Sequence, residues 1–142
     1  MKQILLIEDD EQDQFFMQRA CQRSGPPPSL NCVSDGEAAV AYSTQTSPFA
    51  EGPIQPRPDL IFLDVKLPKR DGPDVLAWIH SRHEFSSWPV IMLTNSKCPA
   101  DVLRAYELGA TSYLCKLAGA NEWEQAIKTT LHYWLHLNIP LL

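Results

Sequence analysis

The chain has 142 residues, 44% of them apolar and 20% charged, with a formal net charge of −5. That length suits one domain with one core, and the composition is that of an ordinary globular protein. The acidic balance provides no basic stripe for a phosphate backbone, so nucleic acid is not an expected partner. No apolar run approaches a membrane span, and the opening run is cut off by Glu8-Asp9-Asp10 before it reaches the length of a secretory signal, so a cytoplasmic protein with no membrane partner is expected.

Taken in chain order, Ile4-Leu5-Leu6-Ile7 shows no alternation, which predicts a strand covered on both faces. A helical pattern over 12–23 carries Phe15, Phe16, Arg19 and Ala20, and Gly25-Pro26-Pro27-Pro28 stops it. Leu30-Asn31-Cys32-Val33 is of mixed polarity and suits an edge strand. Asp35 is placed to cap a helix over 36–42 with Ala38, Ala39 and Tyr42 inward. Residues 47–58 hold Pro48, Pro53, Pro56 and Pro58 and read as an extended surface loop. Leu60-Ile61-Phe62-Leu63 is a second covered strand. Asp71 or Gly72 opens the next helix, with Pro73 in its first turn and Val75, Leu76 and Ile79 inward. Val90-Ile91-Met92-Leu93 is a third covered strand, followed by a helix over 101–108 that Gly109 ends. Tyr113-Leu114-Cys115 is the last strand, and a long helix over 121–137 ends before Pro140. Five β-α units in succession predict an α/β domain over 1–142, with a parallel sheet, right-handed crossovers and helices on both faces.

Ligands of open α/β sheets bind beyond the carboxyl ends of the strands. The residues that follow the covered runs are Glu8 and Asp9, then Asp64, then Thr94, and Lys116 follows the last strand. Three carboxylates, a hydroxyl and an ammonium should therefore meet at one edge. The carboxylates repel one another, and Lys116 supplies only one positive charge, so the set calls for a divalent cation. Oxygen-only ligands favour Mg²⁺, with Mn²⁺ as the alternative, over zinc. Asp64 is the expected nucleophile, because a carboxylate can form an acyl phosphate. Asp9 is expected to bind the metal directly and Glu8 directly or through water. The metal and Lys116 would neutralise the phosphoryl oxygens, and Thr94 would hydrogen-bond one of them.

With these residues in place, the chain resembles the receiver domains of bacterial response regulators. The stretches that carry the resemblance are Ile7-Glu8-Asp9-Asp10, Asp64 through Gly72, Leu93-Thr94-Asn95, and Gly109 through Lys116, in that order along nearly the whole chain. The resemblance implies a flavodoxin-like, doubly wound, five-stranded parallel sheet of order 2-1-3-4-5 with five helices, an order for which a chemotaxis receiver is the standard example. It also implies that the backbone carbonyl of Lys66 completes the metal site. Tyr113 would be the switch aromatic that turns inward as Thr94 moves toward the phosphate, biasing a two-state domain. By this reading the protein is not an enzyme but a phosphoacceptor that assists its own phosphorylation and dephosphorylation.

Arg57-Pro58-Asp59-Leu60, the Leu-Pro-Lys-Arg-Asp-Gly stretch and the tail Tyr133 through Asn138 further resemble single-domain regulators paired with bacterial phytochrome kinases. That implies a sensor histidine kinase as partner, a bacteriophytochrome among the candidates. It also implies a homodimer through the C-terminal helix and tail, 121–142, and no output domain. Receivers usually carry proline after the conserved lysine, whereas here Leu117 follows Lys116. A non-proline cis bond costs about 3 kcal/mol, so a trans bond is expected. The altered junction motivates the alternative function, a dimerising or docking module that works without phosphorylation. A hydrolase of the haloacid-dehalogenase type would need a second acid two residues after Asp64, and that position is Lys66.

The remaining motifs read as structure. The four cysteines form no CxxC pair and are expected to be reduced and mostly buried. His132 and His136 lie one helical turn apart without an HExxH pattern and suit a solvated or interface face.

Overall fold

The computed structural model, which describes residues 1–140, alternates strands and helices along the chain. In order these are β1 (Gln3–Ile7), α1 (Glu11–Gln22), β2 (Ser29–Val33), α2 (Gly36–Thr44), β3 (Leu60–Asp64), α3 (Gly72–Ser81), β4 (Val90–Thr94), α4 (Pro99–Glu107), β5 (Ser112–Cys115) and α5 (Ala120–His132). A single 3-10 turn, His83–Phe85, precedes β4, and a π turn, Tyr133–Leu137, extends α5. The five strands form one parallel sheet in the order β2-β1-β3-β4-β5, as the resemblance implied.

The covered strands lack alternation because both of their faces are packed. Successive side chains of a strand point to opposite faces. Leu5, Ile7, Ile61, Leu63, Val90 and Met92 face one side, where Ala39 and Tyr42 of α2, Val75, Leu76 and Ile79 of α3, and Ala105 of α4 cover them. Ile4, Leu6, Leu60, Phe62, Ile91 and Leu93 face the other, under Met17, Ala20 and Cys21 of α1 and Trp123, Ile127 and Leu131 of α5. Burying each of these larger side chains is worth about 1.5–3 kcal/mol. Arg19 of α1 and Arg23, its C-cap, both pair with Glu124 of α5, at 2.9 and 3.2 Å, along the outside of that layer.

Local chemistry sets the helix ends. The Asp10 carboxylate accepts from the amides of Gln12 and Asp13, the Asp35 carboxylate from Ala38, and the Asp71 carboxylate from Asp74. Pro73 and Pro99 each occupy the first turn of their helix. The expected loop over 47–58 contains no strand or helix, and it is tied down by Phe49 packing on Tyr42 and by the Tyr42 hydroxyl donating to the Pro56 carbonyl at 3.0 Å.

Three expectations change. The last helix is not one α-helix over 121–137: it becomes a π turn at Tyr133, which lets Leu135 tuck under while Tyr133 and Leu137 stay exposed. The remainder of the tail that was assigned to a dimer surface, 141–142, lies outside the described residues. In α1 the buried side chains are Met17, Ala20 and Cys21, so of the four residues read at helical spacing only Ala20 is fully buried, and Phe15 is exposed. Of the cysteines only Cys21 is buried, whereas Cys32 and Cys98 are exposed. Cys32 sits on the edge strand and Cys98 at the N-cap of α4, places that neighbouring elements do not cover. No helix among the described residues is long and apolar enough to cross a membrane.

Candidate functional site

The chain runs outward from β1 to β2 and then returns to β3 on the other side of β1. This makes the gap between β1 and β3 the topological switch point, where crossovers diverge and leave a crevice. Glu8 and Asp9 follow β1 and Asp64 closes β3, so the switch point is flanked by carboxylates. The ladder continues one step beyond the strands and fixes the backbone there. The Glu8 amide donates to Val33 at 3.0 Å, the Val65 amide to Leu93 at 3.2 Å and the Lys116 amide to Thr94 at 2.8 Å. Gly72 brings the start of α3 against the end of β3: its amide donates to Val65 at 2.8 Å, and a Cβ there would overlap the Asp64 carbonyl oxygen.

The side chains converge as the strand ends suggested. One carboxylate oxygen each from Glu8, Asp9 and Asp64 lies within 4.8 Å of the others. Glu8 and Asp64 are buried and Asp9 is exposed, so the group opens to solvent on one side. Such a donor set, all oxygen and open at one side, fits an octahedral ion that keeps several waters. Asp9, Asp64, Lys66, Thr94, Asn95 and Lys116 are among the residues that line one cleft of about 530 Å³.

Lys116 reaches into this cleft from β5. Its Nζ lies 2.9 Å from Glu8 Oε1, 2.7 Å from Asp13 Oδ2 and 3.5 Å from Asp64 Oδ1. Among the described residues the cis peptide bonds are Gly25–Pro26 and Ser47–Pro48, so Lys116–Leu117 is trans as expected. Burial pulls the ammonium toward neutrality, but its hydrogen bonds to Asp13 and Glu8 outweigh that and move the Lys116 pKa upward. Burial, reinforced by the neighbouring Asp64 carboxyl, pushes Glu8 up to about 8 against the pull of Lys116. The two shifts are compatible. Asp13 lies closer to the ammonium than Glu8 does, so Lys116 keeps a carboxylate partner while burial and Asp64 favour the neutral form of Glu8. One cation cannot neutralise every carboxylate around it, and the upward shift falls on the most buried one, Glu8.

Thr94 is buried at the end of β4, and its hydroxyl accepts from the Ser96 amide at 3.0 Å. It therefore holds the following loop rather than capping a helix, and the N-cap of α4 is Cys98. Tyr113 is half-buried, and its hydroxyl donates to the Ser96 carbonyl at 2.9 Å. The Ser96 hydroxyl donates to Asp101 at 2.7 Å. Thr94 and Tyr113 thus face the same loop from its two sides, and both border a cavity of about 270 Å³ beneath it. Ser96 and Asp101 were not anticipated, and neither was Asp13. Asp13 stands five residues after Glu8 in the first turn of α1, and only the angle of that helix over the end of β1 brings it to Lys116. The rings of His132 and His136 lie 5.8 Å apart, tilted by 47°, and among the described residues they join no group of three metal-ligating side chains.

A doubly wound sheet with an acidic triad and a lysine at its switch point defines a receiver. The chain belongs to that family, the response regulator receiver domain, whose profile matches residues 4–128. Among curated proteins it is similar to response regulator Rcp1 of Synechocystis sp., at 35% identity over 94% of this chain and 89% of that protein. Among solved structures it is similar to the phosphorylated cyanobacterial phytochrome response regulator RcpA, at 35% identity and a TM-score of 0.91 over 99% of both chains. It is equally similar in shape to the Mn²⁺-bound form of Rcp1, at 33% identity and a TM-score of 0.91 over the whole of both chains.

Proposed function

We propose that the protein is a response regulator that accepts a phosphoryl group on Asp64 from a histidine kinase in a Mg²⁺-dependent reaction and signals through the loop that joins Thr94 to Tyr113. The observation that carries this reading is the convergence of the Asp64 carboxylate with Glu8, Asp9 and the Lys116 ammonium at the switch point.

In the proposed reaction an Asp64 carboxylate oxygen forms a bond to phosphorus as the P–N bond of a phosphohistidine breaks. The leaving imidazole nitrogen takes the bonding pair, and solvent water supplies the proton that leaves the ring neutral. Glu8, Asp9 and Asp64 would hold Mg²⁺, or Mn²⁺, with the Lys66 backbone carbonyl as a further ligand. Bound there, the ion supplies positive charge to the transferring phosphoryl oxygens. Lys116 would stabilise the same oxygens, and its upward-shifted pKa favours the charged form there. The Thr94 hydroxyl, on turning toward the phosphoryl group, gives up its bond to the Ser96 amide. That loosens the loop to which Tyr113 is tied, so one local event biases two arrangements of the β4–α4 face.

The likeness to a phytochrome response regulator supports a phytochrome-type histidine kinase as donor. The exposed Tyr133 and Leu137 support a homodimer through the C-terminal segment. Light scattering with and without Mg²⁺ and beryllofluoride would read that assembly, and a monomer under both conditions would refute it. The phosphoacceptor reading is tested by labelling with acetyl phosphate or a kinase. Labelling should need Mg²⁺ and vanish in Asp64→Asn, and persistent labelling of that variant would overturn the assignment.

A further inference from the structure

Lys116 sits in an unusual bind. Its backbone is followed by Leu117, whose peptide bond is trans, so no proline ring stiffens the segment that carries it. Leu117 is itself exposed and packs into no core cluster. Something other than the chain beyond β5 must hold a long, flexible side chain at the cleft. A lysine side chain gives up as much as about 2 kcal/mol of rotamer entropy when fixed, so a free ammonium would spend much of its time elsewhere.

The shortest contact of the ammonium is neither to the nucleophile nor to the buried Glu8. It is to Asp13, at 2.7 Å, against 2.9 Å for Glu8 and 3.5 Å for Asp64. Asp13 is well placed to act as a fixed anchor. The Asp10 cap accepts from its amide at 3.0 Å, and the next residue, Gln14, donates from its side chain to the Glu8 carbonyl at 2.6 Å. The first turn of α1 is therefore pinned to the end of β1 on either side of Asp13. The Lys116 side chain is 10% exposed and that of Asp13 27%, so the pair is partly withdrawn from water and is screened less than a surface ion pair. Asp13 is not one of the three carboxylates that could share an ion. When Glu8 and Asp64 are engaged by metal and phosphoryl group, Asp13 is the anion left to hold Lys116.

Resting on the phosphoacceptor reading, we propose that Asp13 is a positioning residue that anchors the Lys116 ammonium beside Asp64, doing for this chain what a rigid segment after the lysine would otherwise do. The ammonium has three N–H donors. One stays on Asp13, a second can pass from Glu8 to a phosphoryl oxygen, and the third, which has no hydrogen-bond partner while Asp64 stands 3.5 Å away, is free for another.

The experiment uses the full chain and its Asp13→Ala variant, with thermal unfolding by circular dichroism to establish that both are folded. The ammonium resonance of Lys116, assigned by its loss in Lys116→Arg, is followed by ¹⁵N NMR without any phosphodonor. A slowly exchanging ammonium signal is expected in the parent protein and its loss by rapid exchange in Asp13→Ala. Labelling by acetyl phosphate at saturating Mg²⁺ should slow about ten- to a hundredfold in Asp13→Ala, the scale of a charged group displaced by about an ångström. An unchanged Lys116 signal in the folded variant, or a labelling rate equal to the parent's, overturns the proposal. A parent protein that takes no label refutes the phosphoacceptor reading instead, and the NMR comparison still decides whether Asp13 anchors Lys116.

Discussion

Glu8 ties the proposed metal site to pH in a way that can be measured directly. Burial and the adjacent Asp64 carboxyl hold its pKa at about 8, well above the 4.5 of a free glutamate side chain. At pH 7 a group titrating near 8 is about 90% protonated. A metal ligand must be ionised, so Mg²⁺ binding at pH 7 should expel about 0.9 proton per ion from Glu8. The apparent affinity should then rise about tenfold per pH unit below 8 and level off above it. The sign for folding follows from the same shift. The folded apo-protein holds this proton more tightly than the unfolded chain, so its stability should fall as pH rises from about 4.5 to about 8, with added Mg²⁺ opposing the loss at the upper end. Calorimetric titration at pH 7 in buffers of different ionisation enthalpy reads the proton count, and Glu8→Gln supplies the control. Binding without proton release in the parent protein, or equal release in Glu8→Gln, would refute the assignment of the proton to Glu8.

Other perturbations separate the scaffold from the site. Gly72→Ala forces a Cβ against the Asp64 carbonyl and the Val65 backbone, and should destabilise the fold by about 1–3 kcal/mol in urea titration while slowing labelling, because the strain falls on the strand end that carries Asp64, the proposed phosphoacceptor. Leu131→Ala removes a fully buried side chain between α5 and the sheet and should cost about 2–5 kcal/mol. Leu137→Ala, on the exposed side of the π turn, should change monomer stability by less than about 0.5 kcal/mol. The Cys21 thiol is pushed up to about 11 by its burial, so at pH 8 it should react with a disulfide reagent far more slowly than an exposed free cysteine. Rapid modification of Cys21, mapped by mass spectrometry in the folded protein, would contradict that.

Elements near one another in sequence were legible from sequence. The β-α order follows from uniform apolar runs separated by amphipathic ones, and the caps at Asp35 and Asp71 follow from local hydrogen-bonding chemistry. The positions of Glu8, Asp9, Asp64, Thr94 and Lys116 could be read because each directly ends or follows a strand, and parallel strands deliver such residues to one edge. The order 2-1-3-4-5 was not in the periodicity. It depends on which faces pack, and only the family resemblance supplied it before the sheet was seen.

What tertiary structure alone decided concerns residues brought together by angles between elements. Asp13 meets Lys116 across 103 residues because α1 lies over the end of β1 at one particular tilt, which no spacing in the chain encodes. Tyr113 and Thr94 share the Ser96 loop because β4 and β5 are paired in register, Thr94 beside Cys115. The protonation of Glu8 likewise depends on burial in three dimensions rather than on its neighbours in sequence. The sequence determined which groups stand at the strand ends. Packing determined which of them touch, which are charged, and that a lysine followed by leucine has an aspartate to hold it.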